Sequence, residues 1–512
     1  MKYLSSPDQF VLVCVVLMMV FFFIRGIISR LISSLADKRL AYDDYLFSAK
    51  ELSKRDIRES TAATYSAFAT VFFWFIALGS IYGWLLLLIP IFLYIGNHFF
   101  VNQVKKQGLQ LGKFSTIGSY IRSNSTYKLL HYHADWIVVV FIFSALFVEI
   151  VIGSGILATM IPNAPGGQLF FIILISVLVI AYVTVGGFRV VILSDTLQLY
   201  VTFAGVIALI IFSFFYMKPP TNEMNLLYSP AISFSSFLAF IVSVIFVQML
   251  GPICQLQNWQ RISSSQNQED ALKAHKQGAL IGAILWLLMI VSALVLYAKF
   301  EGATVNFESI FSAMKSSGIF TSYALLPILF IGFIAAMIST ADSAMAALYL
   351  FFYDGIKRKK QRKEEQFIPT FYHNILTGFG LFIVIMLVYF LNRTKLQDLT
   401  ITVIYFLFNQ LIVVFPIIFY FMIENKIRKN EKANKEITKI HKCIEKNLTL
   451  ALFLGWICVL LMSGAGYFSG KLNWTMFASA SGVAVASIIT LYSWRRLMKI
   501  RRTLKKKEVT LQ

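Results

Sequence analysis

Apolar runs of similar length recur along the chain, separated by short polar connections. They fall at about 8 to 28, 61 to 81, 83 to 101, 136 to 161, 168 to 186, 190 to 216, 233 to 258, 277 to 298, 323 to 353, 368 to 391, 399 to 423, 448 to 468 and 475 to 494. Most are close to the ~20 residues with which a helix crosses a bilayer. The pattern therefore predicts an all-α polytopic membrane protein of about thirteen transmembrane helices. No Pro/Ser-rich linker interrupts the series, and the longest polar stretches, 29 to 60 and 102 to 135, read as short connections.

Composition agrees with the pattern. Of 512 residues, 58% are hydrophobic and 14% charged, against roughly 25% charged in soluble domains. Such a surplus overfills a single soluble core, which stops growing at about 250 to 300 residues. A secreted enzyme, a disordered scaffold and a disulfide-stapled domain are disfavoured. The four cysteines, Cys14, Cys254, Cys443 and Cys458, lie far apart and suggest neither a metal site nor a disulfide framework.

A net charge of +21 would raise the question of nucleic acid in a soluble protein. Here about 39 of the 46 lysines and arginines fall in alternate connections, Arg189 and the stretch 261 to 276 among them. By the positive-inside rule that side is cytoplasmic. The N-terminus is then outside and the C-terminus inside the plasma (inner) membrane, with no nucleic-acid partner. The first span has only Lys2 before it, so it reads as a retained helix and not a cleaved signal. The runs Lys357 to Lys360 and Lys505 to Lys507 read as topology determinants and contacts for anionic membrane lipids.

Some spans are interrupted. Gly251-Pro252 falls inside 233 to 258, where proline removes a backbone hydrogen bond and predicts a kink or unwinding. Three acidic residues lie away from the span ends, Glu149, Asp195 and Asp342, and such residues at membrane depth are costly and usually functional. Ser339, Asp342 and Ser343 share a helix face, with Thr340 beside them. Hydroxyls around one carboxylate make a hard-oxygen set suited to an alkali cation. The alternative is that the hydroxyls bond back to carbonyls four residues earlier, which gives no reason for the aspartate. Asp195 could equally be a hydrated helix-end residue paired with Arg189. Glu149 precedes Gly153-Ser154-Gly155, small residues that let helices approach.

Four strings in order resemble the sodium:solute symporter family. They are Asp44-Tyr45-Leu46-Phe47-Ser48-Ala49-Lys50; Gly186-Gly187-Phe188-Arg189-Val190-Val191 followed by Ser194-Asp195-Thr196-Leu197-Gln198; Asn258-Trp259-Gln260-Arg261-Ile262; and Ala335-Ala336-Met337-Ile338-Ser339-Thr340. The resemblance implies a LeuT-type inverted repeat of two five-helix units, with one extra N-terminal and two extra C-terminal helices. It divides the chain into 1–60, a ten-helix transport core at 61–423, and 424–512. It implies a first sodium held by the carbonyls of Ala62, Tyr65 and Ala336 and the hydroxyls of Ser339 and Thr340. A second sodium would use Asp195, Ser339, Asp342 and Ser343. One departure stands out: Ala67 to Ile76 carries no glycine and reads Phe72-Phe73-Trp74-Phe75 in its middle. These aromatics either face lipid or wall the substrate site. The candidates for substrate contact are Phe72, Phe73, Gln248, Gln255 and Asn409, with Gln257 and Gln410 nearby; the polar ones are open to the alternative of interhelical hydrogen bonds.

The resemblance implies sodium-coupled symport of a small organic solute by alternating access, with no cofactor beyond the coupling ion and no obligatory protein partner. The expectation is a carrier and not an enzyme. Alternatives are proton coupling through Asp195 or Asp342, a transporter-like sensor, and an integral-membrane transferase. For the last, the close histidine pair, His131 and His133, reads as solvated loop.

Overall fold

The apolar runs form helices wherever the chain is described. The computed structural model describes residues 52–111, 114, 116–160, 166–216, 232–299, 325–357, 367–392, 406, 408–428 and 435–510, with positions 13, 20, 21, 24 and 28. The segment Asp44 to Lys50, and all but those five positions of the first predicted span, lie outside the described residues.

A polar helix comes first. In α1 (Lys54–Tyr65) Ser53 and Asp56 form a reciprocal cap, at 3.2 Å and 2.9 Å, that satisfies two backbone donors at the N-terminus. The helix ends at Ser66, whose hydroxyl donates to the Ala62 carbonyl at 2.6 Å, and Ala67 (ψ 67°) separates it from α2 (Phe68–Tyr82). The first core helix is thus broken without glycine, the serine side chain serving one of the orphaned carbonyls. Then follow α3 (Leu88–Gln107), α4 (Ile117–Asn124) and α5 (Lys128–Met160). His131 and His133 lie on α5 and not in a loop; His131 is buried, with Nε2 3.0 Å from the Ser125 carbonyl.

The helix α6 (Gln168–Ile211) has two arms, because Gly187 has φ 63° and ψ −163°, a region essentially open to glycine alone. Tyr182 and Ser194, which would be ~18 Å apart on a straight helix, both reach one oxygen of Asp342. The arms therefore fold back at Gly187 and lie side by side.

The second break follows α7 (Phe234–Val244). Wide π-type turns at Ile245–Met249 lead into α8 (Leu250–Cys254), and Gln255 is extended (φ −80°, ψ 114°) before α9 (Leu256–Ser263). The distortion thus brackets Pro252 instead of centring on it. Downstream side chains serve the loosened carbonyls: Asn258 Nδ2 donates to Pro252 O at 3.0 Å and Trp259 Nε1 to Ile253 O at 2.8 Å. The chain continues as α10 (Gln268–Lys299), α11 (Leu325–Lys357), α12 (Phe367–Asn392), α13 (Phe415–Arg428), α14 (Lys435–Ser469) and α15 (Leu472–Thr510).

Among the described residues nine helical stretches are long and apolar enough to cross a membrane. The expected thirteen and these nine differ for identifiable reasons. The first span lies outside the described residues, and 368 to 391 contributes only the shorter apolar helix Asn374–Leu387. The pairs at 61 to 101 and 168 to 216 run together as Trp74–Gln107 and Gln168–Phe214.

The chain packs as two compact units. The first comprises Met1–Tyr94, Ile142–Ser233 and Gln260–Ile401; in it α1 packs on α6, α10 and α11, and α12 on α6 and α11. Within a bilayer helices associate by close van der Waals packing, for which small residues are favoured. Gly332 of α11 meets Gly205 of α6, where an added methyl would come 2.7 Å from the Gly205 Cα. The second unit comprises Ile95–Phe141, Phe234–Trp259 and Thr402–Gln512; in it α14 and α15 form a hairpin through Gly470 (φ 66°), with α7 and α13 on α15.

Candidate cation site

Charged and hydroxyl side chains from four elements converge inside the first unit. Asp195, on the second arm of α6, is fully buried. Its Oδ1 accepts from Ser339 Oγ of α11 at 2.7 Å, and its Oδ2 from Ser60 Oγ of α1. Its ion-pair partner is Arg261 of α9, whose Nη2 is 3.5 Å from Oδ2, both side chains being almost completely buried. Arg189, the partner considered from sequence, is exposed.

Arg261 is the residue that sequence reasoning misses. By position it falls among the cytoplasmic charges, yet it is 1% exposed. Its Nε donates to Ser60 Oγ at 2.7 Å, and its Nη2 donates to Ser343 Oγ at 2.8 Å and to Thr64 Oγ1. One guanidinium thus joins α1, α6, α9 and α11. The only advance signal is its place in the Trp259-Gln260-Arg261 string, directly after a broken span.

Asp342 faces a different set of groups. Its Oδ2 accepts from Tyr182 of the first α6 arm, and Ser194 Oγ lies 3.3 Å from the same oxygen. Its Oδ1 has no hydrogen-bond partner among the described residues. Of the four residues expected at a second cation site, Asp195 and Ser339 are bonded directly, Ser343 joins them through Arg261, and Asp342 looks toward Tyr182. The cluster holds two carboxylates and one guanidinium, a formal excess of one negative charge. In a low-dielectric interior an uncompensated charge costs several kcal/mol, so the excess is balanced either by one monovalent cation or by one proton on a carboxyl.

The expected first-site oxygens are engaged within the protein. Ala62 O accepts from Ser66, Tyr65 O from Trp286 Nε1, and Ala336 O from Thr340 Oγ1 at 3.2 Å. Thr340 thus makes the back-bond named as the alternative reading, whereas Ser339 does not. Among the described residues no three His, Cys, Asp or Glu side chains gather as a metal site.

Three described side chains of the aromatic run face the protein interior. Phe72 and Phe75 are fully buried and Trp74 nearly so; the Phe72 ring lies 6.1 Å from Phe333 and the Phe75 ring 5.6 Å from Trp286. The Phe73 side chain lies outside the described residues. In the second unit Gln248 is buried within the wide turns, and Gln255 Oε1 at the break accepts from Asn258 at 3.1 Å. Asn409 and Gln410 make interhelical ties: Asn409 Nδ2 donates to Thr475 O at 2.6 Å, and Trp456 Nε1 donates to Gln410 Oε1 at 3.4 Å.

No family model matches the chain, and no curated protein matches it by sequence. Solved structures do. A Na+-coupled sialic acid symporter in a substrate-bound outward-open state superposes with a TM-score of 0.69 at 16% identity, over 96% of this chain and 97% of the other. Mhp1, a nucleobase-cation-symport-1 family transporter, superposes with a TM-score of 0.53 at 12% identity, over 89% and 95%. A manganese transporter of Eremococcus coleocola, in complex with an aromatic bis-isothiourea substituted compound, gives 0.51 at 13% identity, over 90% and 99%. At such identities the likeness shows the fold: the chain is an all-α polytopic membrane protein of the LeuT type.

Proposed function

We propose that the protein is a sodium-coupled secondary active transporter that imports a small organic solute by alternating access. The observation that carries this reading is the enclosed cluster of Asp195, Asp342 and Arg261, which with both carboxyls ionised is one positive charge short of neutrality. Ionisable groups enclosed at membrane depth are costly and usually mark ion or proton pathways. Carriers of this architecture bind near the bilayer midplane beside interrupted helices, and the chain interrupts its helices at Ser66–Ala67 and at Gln255.

In this reading one sodium binds the carbonyls of Ala62, Tyr65 and Ala336 with the hydroxyls of Ser339 and Thr340. A second uses Asp195, Ser339, Asp342 and Ser343. Each ion exchanges part of its water shell for protein oxygens, and in doing so it stabilises one packing of α1, α6 and α11 over another. A ligand shifts such an equilibrium only through its differential affinity for the two states. Sodium and solute that favour the same occluded packing are thereby coupled. Phe72 and Phe73 of α2 are proposed as substrate contacts in the first unit, and Gln248, Gln255 and Asn409 are proposed separately in the second.

The protein sits in the plasma (inner) membrane, N-terminus out and C-terminus in, by the charge asymmetry of its connections. Reconstitution tests the function: uptake of amino acids, sugars, carboxylates and vitamins into proteoliposomes under a sodium gradient, a proton gradient, or neither. Uptake of one solute driven by the sodium gradient supports the reading. Uptake driven by the proton gradient alone replaces it with proton-coupled symport.

A further inference from the structure

Arg261 sits where an incoming cation has to go. Of the four side chains proposed for the second sodium, the guanidinium already engages two: Ser343 Oγ at 2.8 Å and Asp195 Oδ2 at 3.5 Å. A third, Ser339, spends its hydroxyl proton on the same carboxylate at 2.7 Å. We propose that the Arg261 guanidinium is a tethered cation that occupies the second site, so that sodium binds Asp195 only by displacing it. This rests on the sodium-symport reading and adds a regulator to it.

The geometry favours exchange over a permanent staple. Charge-assisted guanidinium–carboxylate bonds are characteristically about 2.7 to 2.9 Å long and often forked. The closest Arg261–Asp195 approach is 3.5 Å. The short contacts of the guanidinium are instead to neutral hydroxyls, those of Ser60, Thr64 and Ser343. It can therefore swing off the carboxylate while α1 still holds it, which keeps its charge solvated by protein. Ser60 is placed to follow: its hydroxyl accepts from Arg261 Nε and donates to Asp195 Oδ2, so it bridges the pair whichever cation the carboxylate holds.

The charge balance gives the device a purpose. With both carboxyls ionised and the guanidinium swung aside but still held by α1, the cluster is negative by one, and one sodium makes it neutral. Without the guanidinium the two carboxylates would be negative by two and would grip sodium more tightly than release to a sodium-poor interior allows. Arg261 thus sets the second site's affinity low enough for turnover.

The test reads sodium binding and not transport. In the substrate-free, solubilised full chain, Arg261→Gln is expected to lower half-saturating sodium at least tenfold, about 1.4 kcal/mol. Adding Asp195→Asn is expected to cancel that gain. Millimolar guanidinium chloride is expected to weaken sodium binding in the Arg261→Gln variant and not in the wild type. A purely structural arginine predicts equal or weaker sodium binding in Arg261→Gln, and that result would overturn the inference. If the variant does not fold, the wild type decides. Sodium-induced infrared difference spectra of arginine-isotope-labelled protein are expected to show a guanidinium band that moves with sodium saturation. Sodium-driven uptake without that band shift overturns this inference and leaves the symport reading standing. Absence of any sodium response, in spectrum and in uptake alike, overturns both.

Discussion

Arg261 and Asp195 form a completely enclosed ion pair, Nη2 to Oδ2 3.5 Å, between the short helix that follows the second break and the second arm of the kinked helix α6. Neither side chain is open to solvent, so each depends on the other and on the surrounding hydroxyls.

Ser339 and Thr340 stand in different situations, since one donates to Asp195 and the other bonds back to Ala336. Replacing both by Ala removes two of the five proposed first-site oxygens, and half-saturating sodium should rise at least tenfold, about 1.4 kcal/mol. Ser339→Ala alone should account for most of it. Wild-type sodium dependence in the double variant would place the ion elsewhere.

Gly187 carries the fold-back of α6 at φ 63°. Any side chain there is strained, at a cost of about 1 to 3 kcal/mol. Gly187→Ala should lower the thermal unfolding midpoint and weaken sodium binding together, because the bend brings Tyr182 and Ser194 to Asp342. Gly380 of α12 has no heavy atom within 4 Å of an added Cβ, so Gly380→Ala is the control expected to lower neither, the midpoint holding or rising as alanine replaces glycine in a helix.

Glu59 lies just short of the predicted first core span and accepts from Arg55 Nε at 2.8 Å, Arg58 at 3.2 Å and Tyr200 of α6 at 3.2 Å. Burial pushes its carboxyl up, but hydrogen bonds from Arg55, Thr196 and Arg58 outweigh burial and leave it below the usual range. A group depressed in the folded state contributes stability above its unfolded value, ~4.3 for Glu, and loses it as pH falls through the folded value. Glu59→Gln should be less stable at neutral pH and should lose less on acidification below about pH 4.3. Parallel stability curves for variant and wild type would remove Glu59 from the account.

Apart from Lys471 at the turn, the described exposed cations of the α14–α15 hairpin lie at the end away from the turn: Lys442 and Lys446 on α14, and Arg495, Arg496, Lys499 and Arg502 on α15. They continue the stripe of exposed Ile488, Leu491 and Tyr492, while the nearby acids turn inward, Glu424 to Arg501 and Glu445 to Thr126. Neutralising Arg495, Arg496, Lys499 and Arg502 to Gln should cut stabilisation by phosphatidylglycerol in a detergent melting assay. Phosphatidylcholine should stabilise variant and wild type equally. An unchanged response to phosphatidylglycerol would show that the face binds no anionic lipid.

Much of this architecture is legible in the residues. The apolar runs mark the helices, and Gly186-Gly187 marks a bend because only glycine takes the required backbone. Ser339, Asp342 and Ser343 announce a polar face in an apolar helix. Arg261 is hidden because charge counting treats every arginine between spans as solvated, and only the convergence of Ser60, Thr64, Asp195 and Ser343 reveals that it is not. The break at Ser66–Ala67 is hidden for a related reason, since a serine hydroxyl replaces the expected glycine. The Phe72 to Phe75 run cannot be oriented from sequence, because lipid and protein interior accept the same aromatic residues.

Whether sodium drives solute movement is decided by the reversal potential of solute flux in proteoliposomes as the sodium gradient is varied. With sodium coupling the reversal potential moves with the sodium gradient, at a slope corresponding to more than one sodium per solute. A reversal potential indifferent to sodium would contradict it.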